Sequence, residues 1–401
     1  MRVIGMISGT SYDAIEAVAA EFDFDGAAVV ADVLEHVSEP YPESTRAAIE
    51  AILPPASTTI EQVCMLDTLI GQNFASVAGE LAERAFGGDV ELITSHGQTV
   101  FHWVEGDHAL GTLQLGQPAF IAERTGATVV GDVRARDIAA GGHGAPLASL
   151  VDVLLLQSSA AERGAVCGSL NLGGIANVTI VGGEREPIAF DTGPANALVD
   201  AVVNWRSDGL DTYDLDGAGA ARGTVDEALL ELFLDEPYYR LAPPKSTGKE
   251  LFHLAYVQDR LGDREIATDD LLATLTALSA AVIAADLTQC GVTEVIAAGG
   301  GTRNPVLMRE LSERLGDTEI TTMDSYGVPA VAKEALLMGL IGFLTVHGLP
   351  GAIPSCTGAG RPVVLGSIVP GVNGLRLSAD AAVPDRLVVR NALGAEPATP
   401  R

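Results

Sequence analysis

Three glycine-rich turns, far apart along the chain, restrict what it can fold into more than any other feature. They are Gly5-Met6-Ile7-Ser8-Gly9-Thr10-Ser11-Tyr12-Asp13, Asn171-Leu172-Gly173-Gly174-Ile175-Ala176-Asn177 and Ala297-Ala298-Gly299-Gly300-Gly301-Thr302-Arg303-Asn304-Pro305. Each stands where a strand reverses or hands over to a helix. Glycine lets backbone N–H groups approach phosphate oxygens, because no side chain intervenes. A single-loop phosphate binder would end its turn in Gly-Lys-Ser/Thr, a tripeptide this chain lacks, so a Walker-type loop is excluded. Several loops must then share the phosphates, and the pattern reads as a split nucleotide site.

The chain has 401 residues, more than one core usually organises, and no polar linker divides it. Two closely packed domains with an active-site cleft are expected. With 47% hydrophobic and 19% charged residues, and no uninterrupted apolar run of about 18 residues, the expectation is a soluble protein. Met1-Arg2-Val3-Ile4 reads directly as a strand without a leader pattern, which points to the cytoplasm. Cys64, Cys167, Cys290 and Cys356 are dispersed, with no spacing for zinc or a redox pair, and read as reduced and mostly buried. A net charge of −29 repels nucleic acid and anionic membrane, so neither is an expected partner.

Residues 3–8, 14–22 and 27–38 read as a strand meander, 60–84 as an amphipathic helix, and 90–95 as a buried strand ending at His96-Gly97-Gln98-Thr99. A strand over 127–133 leads to a glycine-rich turn and a helix over 145–156. Residues 165–170 and 175–181 repeat the opening grammar around Gly173-Gly174, either by internal duplication or as two coincidental glycine hairpins. A helix from Asp269-Asp270 to Gln289, a strand over 294–298, a helix from Asn304-Pro305 to Leu315 and a helix over 333–347 complete the pattern. Residues 355–359 read as loop and 395–401 as a frayed tail.

Asp13 stands beside hydroxyls in the first turn, where it either caps the turn or holds hydrated magnesium. Asp137 follows a buried strand in Gly131-Asp132-Val133-Arg134-Ala135-Arg136-Asp137 and precedes Gly141-Gly142-His143-Gly144-Ala145-Pro146. It is either a member of a surface ion-pair cluster or a general base kept ionised by its arginines at the carboxyl edge of a sheet. Asp191-Thr192-Gly193-Pro194-Ala195-Asn196 and Pro243-Pro244-Lys245-Ser246-Thr247-Gly248-Lys249-Glu250 are polar turns of a kind that reads sugar or ribose hydroxyls, though ordinary turns share this composition. His96, His102, His108 and His143 lack metal-ligand spacing, and no Gly-x-Ser-x-Gly elbow is present.

Taken together, these seven segments resemble the anhydro-N-acetylmuramic acid kinases nearly end to end: residues 8–13, 95–99, 131–147, 171–177, 191–194, 245–248 and 299–305. That family lies in the superfamily of acetate and sugar kinases, actin and heat-shock chaperones. The resemblance implies an α/β fold of two related actin-like (ribonuclease H-like) domains, each a mixed sheet flanked by helices, with an interdomain active-site cleft. The first domain would comprise 1–160 plus 333–401 and the second 161–332. The implied reaction uses ATP, magnesium and water to open 1,6-anhydro-N-acetylmuramic acid and yield N-acetylmuramic acid 6-phosphate, in peptidoglycan recycling. Asp137 would be the base. Gly9, Thr10, Ser11, Tyr12, Asp13, Ala14, Ile15 and Glu16, then Gly173 and Gly174, then Gly299, Gly300, Gly301 and Asn304 would hold ATP, with Asp13 at the metal. His96, Gln98, Arg134, Asp191, Thr192 and Glu334 would hold the sugar. A homodimer is the default expectation for a soluble enzyme.

The chain departs from the family pattern at five positions: Ala14 and Glu16 in the first loop, His143 for a glutamine, Ala195 for a glycine, and Val331 where an acidic residue is common. These leave two alternatives. One is a kinase for another anhydro-sugar or sugar hydroxyl; the other is a non-catalytic ATP-binding regulator of the same fold.

Overall fold

A computed structural model describes residues 1–391 apart from Thr10, Asp107, Pro244, Lys249, Gly327, 329–331, Asn373, Arg376 and 378–380. Thr10 and Val331 therefore lie outside the described residues. Met1–Ser158 with Asp324–Arg401 forms one compact unit and Ser159–Met323 another.

In the first unit β1 (Arg2–Ser8), β2 (Ala14–Asp25) and β3 (Ala28–Pro40) form an antiparallel meander. β4 (Leu92–Glu105) lies parallel to β1, β5 (His108–Leu115) pairs antiparallel with β4, and β6 (Thr128–Gly131) lies parallel to β4. In the second unit β7 (Val166–Leu172), β8 (Ile175–Gly182) and β9 (Ile188–Pro194) repeat the meander. β10 (Glu294–Ala298) and β11 (Glu319–Thr322) then add in parallel on the other side of β7. The central orders β3-β2-β1-β4-β6 and β9-β8-β7-β10-β11 are the same in sequence and direction. This shared ribonuclease H-like topology favours duplication over coincidence, since two chance hairpins carry no matching pair of parallel crossovers. The first sheet gains β12 (Ser367–Val369) beside β6 and β13 (Arg386–Asn391) beside β3.

The helices follow from capping and from burial. Thr59 and Gln62 close a capping box at the head of Ile60–Phe86, and Gly87, at φ 60°, ends it in the left-handed conformation. Leu66, Ile70, Phe74 and Leu81 line its buried face against the first sheet. Lys333–Val346 packs so closely on β1 that a Cβ on Gly5 would lie 2.0 Å from the Ala335 carbonyl oxygen, so only glycine fits there. Thr268–Gln289 is long and apolar enough to cross a membrane by length and composition, but its side chains are largely buried within the second unit.

Four local expectations are corrected. The strand expected to stop at residue 95 runs to Glu105, because Gly97, at φ 68°, absorbs a bulge and the strand then pairs with β5. The helix expected from 145 begins at Ser149, whose hydroxyl donates to the Pro146 carbonyl at 2.7 Å. Asp191, Thr192, Gly193 and Pro194 belong to β9 and are not a turn. Pro354–Thr357 is a short helix ended by Gly358 at φ 80°. Cys64 is exposed, and the other three cysteines are buried and free.

Candidate functional site

β1, β4 and β6 are parallel neighbours, so their carboxyl ends share one sheet edge, where open α/β sheets receive ligands. Ser8 at the end of β1 donates to Gln98 Oε1 at 2.7 Å, and Gln98 Nε2 donates to the carbonyls of Gly9 (3.0 Å) and Thr99 (3.2 Å). Gln98 is wholly buried, and its amide holds the first turn. Within the turn Tyr12 adopts φ 46° and donates its N–H to Gly9 at 3.1 Å, while Ser11 and Asp13 are exposed. Asp13 lies 3.6 Å from Arg46. The turn ends there: Ile15 is buried in the core, and the Glu16 carboxylate meets His36 Nε2 at 2.7 Å and the Ser38 hydroxyl at 2.5 Å. Both side chains are thus engaged away from the turn.

Asp137 lies on the short helix Ala135–Ala139 just beyond β6 and is completely buried. Its Oδ1 accepts the Thr357 hydroxyl at 2.8 Å and its Oδ2 accepts the Gly144 N–H at 2.8 Å. The ion-pair-cluster reading is thereby overturned: a hydroxyl and an amide hold the carboxylate. Gly142 is required beside it, since a Cβ there would lie 2.3 Å from Oδ2. His143 between these glycines donates its backbone N–H to Thr357 at 2.8 Å, and its ring lies against Gly358. Thr357 escaped the sequence reading because a lone Thr-Gly 220 residues downstream gives no signal of what it faces.

His96 and Arg134 form a second group at this edge. Arg134 Nε donates to His96 Nε2 at 2.8 Å, and its Nη1 donates to the Gly144 carbonyl at 2.5 Å. Arginine has no acceptor, so Nε2 is unprotonated and Nδ1 carries the proton to the Gly97 carbonyl at 3.0 Å. Burial and the Arg134 charge push the His96 pKa down to about 3. Burial also lowers the Arg134 pKa, opposed by the charges of Glu334 and Asp137. Glu334 is exposed in the first turn of Lys333–Val346, and its neighbour Lys333 is buried 2.5 Å from Asp152.

The state of His96 makes stability depend on pH with a definite sign. Below pH 6.5 the unfolded chain takes up a proton that the folded chain refuses until about pH 3. Stability is therefore intact above pH 6.5 and falls as pH drops through that window, by up to about 1.4 kcal/mol per pH unit for this one group. In thermal melts between pH 4 and 7, His96→Gln is expected to lose stability less steeply than the wild type; equal slopes would remove His96 as the cause.

In the second unit the parallel pair β7 and β10 brings two glycine turns together at the equivalent edge, with Ala298 in register with Asn171. Gly299 adopts φ 90°, and a Cβ there would lie 2.7 Å from Asn171 Oδ1; a Cβ on Gly301 would lie 2.7 Å from Leu172 Cβ. Asn196, outside the expected site, donates its side-chain amide to Gly173 at 2.8 Å, and Asn304 caps Pro305–Leu315 by accepting the N–H groups of Val306 and Leu307. The structure thus joins Gly173, Gly174, Gly299, Gly300, Gly301 and Asn304 in one rim. Asp191 Oδ2 accepts the Ser246 hydroxyl at 2.9 Å and the Thr247 N–H at 3.0 Å, and burial raises its pKa. Thr192 is wholly buried with its hydroxyl on the Ala176 carbonyl at 3.3 Å. Among the described residues no cluster of three metal-ligating side chains occurs. Magnesium commonly keeps several waters and takes only one or two carboxylates beside the phosphates, so exposed Asp13 fits that role chemically.

A model of the family described as anhydro-N-acetylmuramic acid kinase matches residues 1–371. A protein of that name from Rhodococcus erythropolis is 54% identical over 383 residues, covering 94% of this chain and 96% of that one. Another from Streptomyces coelicolor is 52% identical and covers 97% and 98% of the two chains. A third from Cyanothece sp. is 38% identical over 92% and 99%. The match takes in both glycine-rimmed sheet edges and the Asp137 helix, and the chain belongs to the anhydro-N-acetylmuramic acid kinase family.

Proposed function

We propose that this protein is an ATP-dependent kinase that opens 1,6-anhydro-N-acetylmuramic acid with water and phosphorylates it, giving N-acetylmuramic acid 6-phosphate. The observation that carries the reading is a buried Asp137 carboxylate, oriented on both oxygens by Thr357 and Gly144, at the carboxyl edge of the first sheet. Each oxygen keeps a lone pair after that bond. Asp137 takes a proton from water as the water oxygen bonds to the anomeric carbon. The bond from that carbon to O6 breaks, O6 bonds to the γ-phosphorus, and the bond to ADP breaks. Asp137 then returns its proton to solvent.

His96, Arg134 and Glu334 in the first unit are proposed as sugar-binding residues, and so, separately in the second unit, is Asp191. Gly9, Ser11, Tyr12 and Asp13 line one phosphate turn; Gly173 and Gly174 line another, and Gly299, Gly300, Gly301 and Asn304 the rim beside it. Magnesium held by Asp13 would neutralise charge on the phosphates, and the proposal places the enzyme in the cytoplasm with its ATP.

Two departures from the family pattern have local explanations that leave the substrate class untouched. Glu16 is bound to His36 and Ser38. Ala195 is buried, with its N–H on Gly174 and its carbonyl accepting the Ser279 hydroxyl at 2.8 Å. This favours the family's sugar over a different one. Mass spectrometry after incubation with ATP, magnesium and the anhydro-sugar in heavy-oxygen water tests the reading. The expected product gains one phosphate and one heavy oxygen. A phosphorylated product without heavy oxygen would mean an ordinary sugar kinase, and no product would favour a non-catalytic role.

A further inference from the structure

Of the 24 basic residues only Lys245, Lys249 and Lys333 are lysines, and the last stands where a cation is poorly placed. Lys333 is the first residue of the helix Lys333–Val346, where the partial positive charge of a helix N-terminus opposes it. Its side chain is buried, 10% exposed, with the ammonium 2.5 Å from Asp152 Oδ1. The Asp152 side chain is 4% exposed, in the first turn of Ser149–Arg163. Burial and helix polarity both count against Lys333, so the pair is not explained by stability. A buried ion pair adds little net stability over apolar residues of the same volume, while it specifies one arrangement.

What the pair arranges is the mounting of Asp137, within the first unit. Ser149, at the head of the Asp152 helix, donates its hydroxyl to the Pro146 carbonyl at 2.7 Å. Two residues before Pro146 is Gly144, whose N–H holds Asp137 Oδ2. Cys356 lies against the same helix head. Burial pushes its thiol up to about 11, the Ser149 and Ser355 hydroxyls oppose this, and the Asp152 charge adds to it. The next residue, Thr357, holds Asp137 Oδ1. Both donors on the Asp137 carboxylate are thus mounted beside the head of the Asp152 helix. The Lys333 helix is fixed in its turn, packed so closely on β1 that Gly5 has no room for a Cβ. A single buried charge pair therefore moors the supports of Asp137 to the helix that rides on the sheet.

We infer that Asp152 and Lys333 are positioning residues for the water-activating step: their ion pair sets the spacing of the two helix heads, and with it the grip of Gly144 and Thr357 on Asp137. This rests on the kinase reading. Apolar side chains in the same place would keep the helices packed but would not fix one separation, whereas an ammonium on a carboxylate oxygen does. The proposed phosphate turns are built at the end of β1 and in the second unit, so ATP binding does not depend on the pair.

The double variant Lys333→Met/Asp152→Leu tests it, since it removes both charges in a similar volume and should melt near the wild-type temperature. Its kcat on the anhydro-sugar is expected to fall roughly tenfold to a hundredfold, the cost of a small misplacement of a reacting group. Its calorimetric affinity for ATP should stay within about twofold of wild type. In an Asp137→Asn background the same two substitutions should change the residual rate by less than about twofold, because the pair acts through Asp137. Wild-type kcat in the double variant would overturn the inference, as would a full further loss in the Asp137→Asn background. If the double variant does not fold, Asp152→Glu keeps the charge and lengthens the tie by one methylene; the same loss of kcat at unchanged ATP affinity is expected, and wild-type kcat there overturns the inference too. A wild-type protein that binds ATP but forms no product would sink the kinase reading and this inference with it, whereas wild-type turnover that survives in the double variant sinks the inference alone.

Discussion

Asp137→Asn is expected to lower kcat by about 10²–10⁴-fold, the range for removing a general base, while ATP affinity and melting temperature stay near wild type. The geometry makes this a clean substitution. Asparagine can keep its carbonyl oxygen toward the Gly144 N–H, the partner with a fixed donor, and turn its NH₂ toward the Thr357 hydroxyl, which rotates to accept. Both neighbours remain partnered in a site with no exposure, so the fold loses little while the proton acceptor disappears. Thr357→Val provides the companion: it keeps the carboxylate but frees Oδ1, and its loss of turnover should be smaller than that of Asp137→Asn. Steady-state kinetics and thermal melts on both proteins check the prediction. Wild-type turnover in Asp137→Asn would remove this residue from the mechanism.

Features governed by local chemistry were legible in the sequence. Asn304-Pro305 announces a helix start because the asparagine carboxamide accepts the first free N–H groups and proline needs no donor there, and the structure has that cap. Gly173-Gly174 marks a reversal because a hairpin turn tolerates glycine best, and β7 and β8 meet around it. Features that depend on distant partners were not legible. Thr357 reaches Asp137 from a short helix at the far end of the chain, and Asp286 reaches Lys245 from near the end of the mostly apolar helix Thr268–Gln289. The segment from Asp191 to Pro194 looked like a turn because its composition is polar and glycine-bearing, yet ladder bonds to β8 extend it into a strand. The resemblance alone offered Gln98 as a sugar contact, with no local signal of its protein partners. Its role is set by Ser8 and Gly9, 90 and 89 residues earlier, which no periodicity encodes. The repeated strand order itself rests on parallel pairings of β1 with β4 and of β7 with β10, and such pairings leave no mark in adjacent residues.

Neighbouring glycines in the third turn should respond to the same methyl group with different costs in stability. Gly299 holds φ 90°, and a Cβ would press within 2.9 Å of the Leu172 backbone and 2.7 Å of Asn171 Oδ1. Gly299→Ala must therefore strain its own backbone, at about 1–3 kcal/mol, and push the turn away from Gly173 and Gly174. The expected outcome is a lower melting temperature together with ATP binding weakened by roughly a hundredfold, the equivalent of about 2.7 kcal/mol. At Gly300 the added Cβ would meet nothing within 4 Å, and the residue is not among the glycines with positive φ. Gly300→Ala should leave the melting temperature unchanged. Its methyl group points into open space on the rim, where the nucleotide is proposed to lie, so ATP affinity should fall by about tenfold with no structural cost to account for it. Calorimetry with ATP and thermal melts on the two variants separate the effects. Weakened binding in Gly300→Ala at an unchanged melting temperature puts the nucleotide against this turn. Wild-type affinity there, with a destabilised Gly299→Ala, would make the turn a packing element that needs glycine only to lie against Leu172, and the adenosine-side contacts would have to be sought elsewhere in the second unit.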